Sequence, residues 1–310
     1  MTPTRAEEVA VLRAVIYAAL FDYPLTLAQL HASLPEVRAE AEAVASWWRE
    51  SAFLQARVEH RDGRYFPAGR ADLLRTRARR EAVSRDLLQR DRRILSLVAG
   101  MPFVRMVALS GSLAHLNAER SADLDLFVIT APGRVWSVTL AVLAIAKLLG
   151  WRQRLCLNYV VSEAALAIGP ADLFSANQII HLQPISGHAV FEQFLQANGF
   201  ARSFYPNYAF GAPRTQDPGP RTLERLLSLG LAPLAERAAR AIYGWHLKRR
   251  AATWQSRDQV RLEPECLKLH TTSHRAATLA RFQAAMAAAL ERGDAPVATP
   301  LPETQAVASL

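Results

Sequence analysis

Hydrophobic positions recur along this chain at two periods, one near 3.6 residues and one of 2, and the change between them marks its organisation. Over residues 4–21, Leu12, Val15, Ile16, Ala19 and Leu20 fall on one helical face, and Thr4 with Glu7 has the form of a capping box. Asp22-Tyr23-Pro24 ends that helix, and Thr26-Leu27-Ala28-Gln29 caps a short second one that runs to about Ser33. A third helix is predicted from Pro35 to Ser51, with proline in its first turn and Val44, Trp47 and Trp48 along it. Leu54–His60 and Arg64–Phe66 then flank Arg61-Asp62-Gly63, a hairpin signal. Three helices and a hairpin in this order suggest a winged helix-turn-helix over residues 1–70.

A charged connecting helix follows over 71–99, and the period then changes. Phe103–Leu109 is an apolar run that leads into Ser110-Gly111-Ser112, and Leu124–Ile129 is a second run with Asp123 and Asp125 at its start. An apolar helix over 134–149 and a strand over 154–161 complete a compact α/β core at 100–190. The pattern returns to helices at Phe191–Ala197, Arg221–Arg250 and His274–Arg292, so 191–294 reads as a helical C-terminal region and 295–310 as a disordered tail. The fold class expected is α+β.

The two carboxylates carry the chemistry. Side chains alternate along a strand, so Asp123 and Asp125 share a face while Leu124 and Leu126 turn to the other. Two carboxylates on one face form an oxygen-rich site suited to hard divalent cations. The Gly-Ser turn after the preceding strand offers backbone N–H groups and a hydroxyl to phosphates. Together these parts point to metal-dependent nucleotidyl transfer.

Composition widens the picture in one direction. Thirty-seven Lys and Arg against 28 Asp and Glu leave a net charge of +9, which favours polyanionic partners. Between positions 75 and 93 eight arginines face three acids. That run fits either an acceptor site for RNA or another polyanion, or a solvated face with i,i+4 pairs such as Glu81 with Arg85. With two cysteines in the chain, a disulfide framework is excluded and a reducing cytoplasm is the expected location. No secretory signal is visible, and the longest uncharged apolar segment, Val135–Ala146, is too short to span a bilayer. The predicted third helix carries Glu36, Glu40, Glu42 and Glu50 against Arg38 and Arg49, which argues against duplex DNA and for a packing or docking role. The histidines lack metal-ligand spacing, although His115 follows Gly111 closely enough to be a candidate for the phosphates. No Walker, dinucleotide or nucleophile-elbow motif is present.

The arrangement of apolar strand, Gly111-Ser112, ten intervening residues and Asp123-Leu124-Asp125-Leu126 resembles the signature of the DNA polymerase β-like nucleotidyltransferase superfamily. The resemblance implies that Gly111 and Ser112 hold the β- and γ-phosphates of an NTP. It implies that Asp123 and Asp125 hold two Mg²⁺ (or Mn²⁺) ions, with Ser121 in an orienting role. It also implies a third carboxylate on a later strand, where this chain has Asn158, an amide that can ligate a metal but cannot accept a proton. Glu163 is two or three residues late for that position and would need a bulge or shifted register. More widely, Phe21-Asp22-Tyr23-Pro24-Leu25-Thr26, Ser110-Gly111-Ser112-Leu113-Ala114, Asn117-Ala118, Cys156-Leu157-Asn158-Tyr159 and Tyr205-Pro206-Asn207 resemble a bacterial and archaeal group of nucleotidyltransferase-like proteins, in which Asn158 belongs to the pattern. The implied activity is transfer of NMP to an acceptor that the sequence leaves open (RNA, protein or small molecule). The alternative is a catalytically impaired regulator that senses nucleotide or binds nucleic acid.

Overall fold

The computed structural model describes residues 2–210, Glu224, Leu227, 232–269 and 275–291. Helix α1 (Arg5–Ala19) begins at the expected capping box, with the Glu7 N–H donating to Thr4 Oγ1 and the Thr4 N–H to the Glu7 carboxylate. Helix α2 (Leu27–Ala32) repeats the device with Thr26 and Gln29. The third helix starts later than its pattern predicts: α3 is Ala41–Glu50, and a short α4 (Ala52–Gln55) follows. Residues 36–40 are claimed instead by a distant segment. Glu36 adopts φ +64° and donates its N–H to the Phe204 carbonyl, while Asn207 accepts from the Ala39 N–H and donates to the Val37 carbonyl. Strands β1 (Val58–Arg61) and β2 (Arg64–Pro67) pair antiparallel across Asp62-Gly63, both in the left-handed region that a two-residue hairpin turn requires.

Helix α5 (Asp72–Gly100) leads to a six-stranded mixed sheet of order β6-β3-β4-β5-β8-β7. Strand β3 (Val104–Leu109) lies antiparallel to β4 (Leu124–Thr130), and β4 is parallel to β5 (Leu155–Ser162) through helix α7 (Val135–Leu148). Strand alternation divides β4 between two cores. Leu124, Leu126 and Val128 pack with Val83, Leu87 and Ile94 of α5 and with α7. Phe127 and Ile129 pack on the other face with helices α8 (Leu173–Ile180) and α9 (His188–Ala197). Each such fully buried side chain contributes roughly 1.5–3 kcal/mol, so both faces of the sheet are anchored. Gly187, between edge strand β6 (Gln183–Ser186) and α9, has φ +73°, and a Cβ there would lie 1.9 Å from the Arg105 carbonyl oxygen.

The C-terminal region departs from its helical reading. It supplies two strands, β7 (Val260–Glu263) and β8 (Cys266–Leu269), and β8 pairs antiparallel with β5, extending the core sheet. Helix α10 (Phe200–Phe204) is short, and α11 (Ala232–Arg249) packs on α7. Helix α12 (Arg275–Glu291) returns to the N-terminal core, where Phe282, Met286 and Ala289 are buried and Phe282 meets Tyr17 edge-on at 5.3 Å. The expected tail at 295–310, and 221–231 of the expected helix apart from Glu224 and Leu227, lie outside the described residues. Among the described residues no helix is long and apolar enough to cross a membrane.

One joint between these parts titrates. His115 closes the short helix α6 (Gly111–Ala114) and His181 closes α8, with ring centroids 4.3 Å apart. The Tyr23 ring meets His115 at 5.5 Å, the buried Arg77 guanidinium lies over Tyr23, and His181 Nδ1 is paired with the Asn177 carbonyl. Burial lowers the pKa of His181 to about 4, and that of His115 falls through burial, His181 and Arg77. The unfolded chain therefore binds more protons than the folded one between about pH 4 and 6.5, and stability rises with pH across that window. Denaturant unfolding is expected to show a loss of about 2–3 kcal/mol from His181 between pH 6.5 and 4. His181→Gln should flatten that part of the profile, and an unchanged slope would refute the assignment.

Candidate active site

Strand β3 ends at Leu109, and the chain turns through Ser110 into α6. Gly111 takes φ +63°, and a Cβ built there would lie 2.5 Å from Asp125 Oδ2, closer than any real contact. Both the backbone conformation and the space therefore demand glycine. The Ser110 N–H donates to the Asp125 carbonyl at 3.0 Å and ties the turn to β4. Asp125 is the second residue of β4, and Asp123 immediately precedes the strand. Leu124 and Leu126 are buried on either side of Asp125, as alternation predicts.

Strand β5 brings the third polar group. Asp125 is level with Cys156, but Phe127 is level with Tyr159, so β5 carries one more residue than β4 over that interval. This bulge puts Asn158 beside Asp125, with Nδ2 donating to Oδ1 at 3.2 Å. The Cys156 thiol donates to Asn158 Oδ1 at 2.8 Å. The amide thus holds the carboxylate on one side and is held by the thiol on the other.

Electrostatics mark the pair of acids. Burial, then the charge of Asp123, pushes Asp125 up to about 6 against the opposing Cys156 contact. Burial also raises Asp123, with Arg152 opposing. The Cys156 thiol is pushed up to about 12 by burial and by both aspartates, which excludes it as a nucleophile near neutral pH. Two crowded carboxylates that each resist ionisation are the arrangement a divalent cation relieves.

Other candidates lie elsewhere. Ser112 is in α6, and its carbonyl accepts from the Asn117 N–H. Ser121 is exposed and lines a cavity of about 480 Å³ with Arg79, Val83, Glu119 and Arg120. Glu163 follows Ser162, which is level with Thr130 at the far end of β4, and its carboxylate faces Arg105 Nε at 3.7 Å. The bulge recruits Asn158, and Glu163 stays at the opposite end of the sheet. The His115 ring turns to Tyr23 and His181, and its carbonyl accepts from Arg77. Among the described residues no three His, Cys, Asp or Glu side chains converge on a metal position. The Asn158 amide, with Nδ2 turned to Asp125 and its oxygen accepting from Cys156, holds the carboxylate instead of taking the metal-ligand place the resemblance implies. The oxygens on offer are therefore those of the two carboxylates. Cys156 belongs to the site as well; its spacing of two from Asn158 along a strand is the sequence signal for it, whereas no local pattern marks Arg152.

No family model, curated protein or solved structure matches the chain. The site is therefore read on its own geometry.

Two glycines separate backbone strain from the close approach. Gly133 also has positive φ but has open space around a Cβ. Gly133→Ala is expected to cost about 1–2 kcal/mol in thermal or denaturant unfolding. Gly111→Ala should cost about 1–3 kcal/mol beyond that. Equal effects on unfolding would mean that Asp125 does not press on the turn.

Proposed function

We propose that this chain is a Mg²⁺- or Mn²⁺-dependent nucleotidyltransferase that binds an NTP and transfers NMP to an acceptor hydroxyl. The observation that carries the reading is the contact of Gly111 with Asp125, which joins a phosphate-suited turn and an acidic pair in one site. The strand relations β3 antiparallel to β4 and β4 parallel to β5 agree with a polymerase β-like core. The N-terminal helices and hairpin we read as winged-helix-like, in a packing role. Their order supports the first part and their engagement the second: Trp47 is buried, Trp48 Nε1 donates to the Val58 carbonyl, and hairpin residue Arg64 faces Glu81.

The donor chemistry fits hard cations, because every group offered is oxygen and both carboxylates gain from a neighbouring positive charge. Bound there, divalent ions would offset triphosphate charge and polarise the phosphorus under attack. The chain's own part is positional. Backbone N–H groups at Gly111 and Ser112 would receive the phosphates, and Asp123 and Asp125 would hold the cations. Asn158 keeps Asp125 oriented through Oδ1. In the transfer the acceptor oxygen bonds to the α-phosphorus, the bond to the bridging oxygen breaks and pyrophosphate leaves. The amide at 158 cannot accept the hydroxyl proton, which leaves to solvent or to a carboxylate of the pair.

That last feature favours one second reading: a regulator that binds NTP without turnover. Pyrophosphate release from each of the four NTPs with Mg²⁺ or Mn²⁺ separates the two. Release from wild type, lost at least 100-fold in Asp123→Ala and Asp125→Ala, is expected of the transferase. NTP binding without release identifies the regulator, and NTP affinity unchanged in both aspartate variants would overturn either reading.

A further inference from the structure

Helix α5 presents a charged stripe beside this site that the fold uses only in part. At 100° per residue, Arg75, Arg79, Arg90 and Arg93 fall within about 60° of one another. All four are exposed, and Asp86 is the acid among them. The stripe runs about 27 Å along the axis at 1.5 Å per residue. Arg79 pairs with Glu119 and Arg90 with the buried Asp91. Arg75 and Arg93 make no hydrogen bond or ion pair among the described residues. Like charges at i,i+4 and i,i+3, here Arg75 with Arg79 and Arg90 with Arg93, weaken a helix slightly, so the stripe does not serve α5 itself.

Its position relates it to the acids. Arg79 and Val83 form one wall of the cavity of about 480 Å³, and Glu119, Arg120 and Ser121 form the other, two residues before Asp123. Exposed Arg120 adds another cation with no partner among the described residues. The wall combines guanidinium groups with an apolar floor at Val83, and its volume is that of a small-molecule site. A line of cations longer than any free nucleotide, passing a nucleoside-sized cavity, suits a strand with repeated phosphates. A base stacked inside a duplex cannot enter a cavity unless it is extruded, so a single strand is the form that fits it.

We propose that the arginine stripe of α5 and the cavity at Arg120 and Ser121 bind a single-stranded polynucleotide, its backbone along the stripe and a nucleoside in the cavity. Calling that strand the acceptor rests on the nucleotidyl-transfer reading; its binding does not. The strand is recognised through phosphate charge, so RNA and DNA sources are distinguished by experiment.

The test is fluorescence anisotropy of the full chain with labelled 20-nucleotide uridine RNA, the matching thymidine DNA and a 20-base-pair RNA duplex, over 50–200 mM salt. The triple variant Arg75→Ala/Arg93→Ala/Arg120→Ala removes three exposed side chains, and its melting curve reports that it folds. At a slope of about 0.7 per phosphate contact, the triple variant should lower the salt slope by about 2 and the affinity about 100-fold at 0.1 M salt. Tighter binding of the RNA or of the DNA names the source, and either supports the proposal. An unchanged slope in the triple variant, or duplex bound as tightly as single strand, overturns it. Strand binding without pyrophosphate release would leave this site standing and remove the transfer reading, whereas release with strand binding insensitive to the arginines would do the reverse.

Discussion

The approach of Gly111 to Asp125 is the constraint around which the centre of this chain is arranged. A side chain at 111 would begin 2.5 Å from the Asp125 carboxylate, so the turn after β3 sits on the second residue of β4 with no space between them. That contact fixes where α6 starts and which backbone N–H groups border the acids. Burial of Asp125 beside this turn is the leading cause of its raised pKa. A carboxylate in that position is poorly satisfied by the chain alone and is improved by a cation. The same steric fact thus shapes the turn and sets it directly against the acidic pair.

Helix α5 holds the surrounding loops in place from behind. Buried Arg77 donates to the His115 carbonyl, Ser84 Oγ accepts from the Ala118 N–H, and Arg80 binds Glu119. Farther along, buried Asp91 receives Arg154, whose carbonyl accepts the Leu124 N–H. One helix therefore grips the segment before β4 and the turn before β5, the two approaches to the acids. The N-terminal unit reaches the same segment. Asn117 and Arg80 both donate to the Phe21 carbonyl, and Tyr23 packs on His115. Asp22 and Leu116, non-glycine residues with positive φ, lie within these two contacting segments. Strain concentrated there is held by the ion pairs of Asp22 with Arg70 and Arg80.

What was legible in the sequence was local. Capping boxes at Thr4 and Thr26 declared their helices because both partners lie within one turn. Asp62-Gly63 declared its hairpin, and alternation around Asp123 and Asp125 declared the acidic face. What was hidden depended on distant partners. Pro35 has the look of a helix start, but Asn207 claims the backbone at 37 and 39 and delays α3 to Ala41. Strands β7 and β8 are four residues each, and buried Lys268 breaks the apolar pattern of β8. Its ammonium is accommodated by the Tyr159 ring and Gln259, which no window of the sequence reveals. Helix α12 was legible as a helix, but not its placement in the N-terminal core.

The bulge in β5 gives Asn158 its meaning. Without the extra residue, the side chain level with the acids would be set by simple alternation, and a carboxylate such as Glu163 could be imagined sliding into place. With it, the amide donates to Asp125 while its oxygen is occupied by the Cys156 thiol. A third carboxylate at 158 would crowd two acids that already resist ionisation, raising Asp125 further whenever no cation is bound. An amide instead offers a neutral donor to the ionised form and lessens that burden. The residue therefore keeps Asp125 aligned without adding a third negative charge beside the two acids.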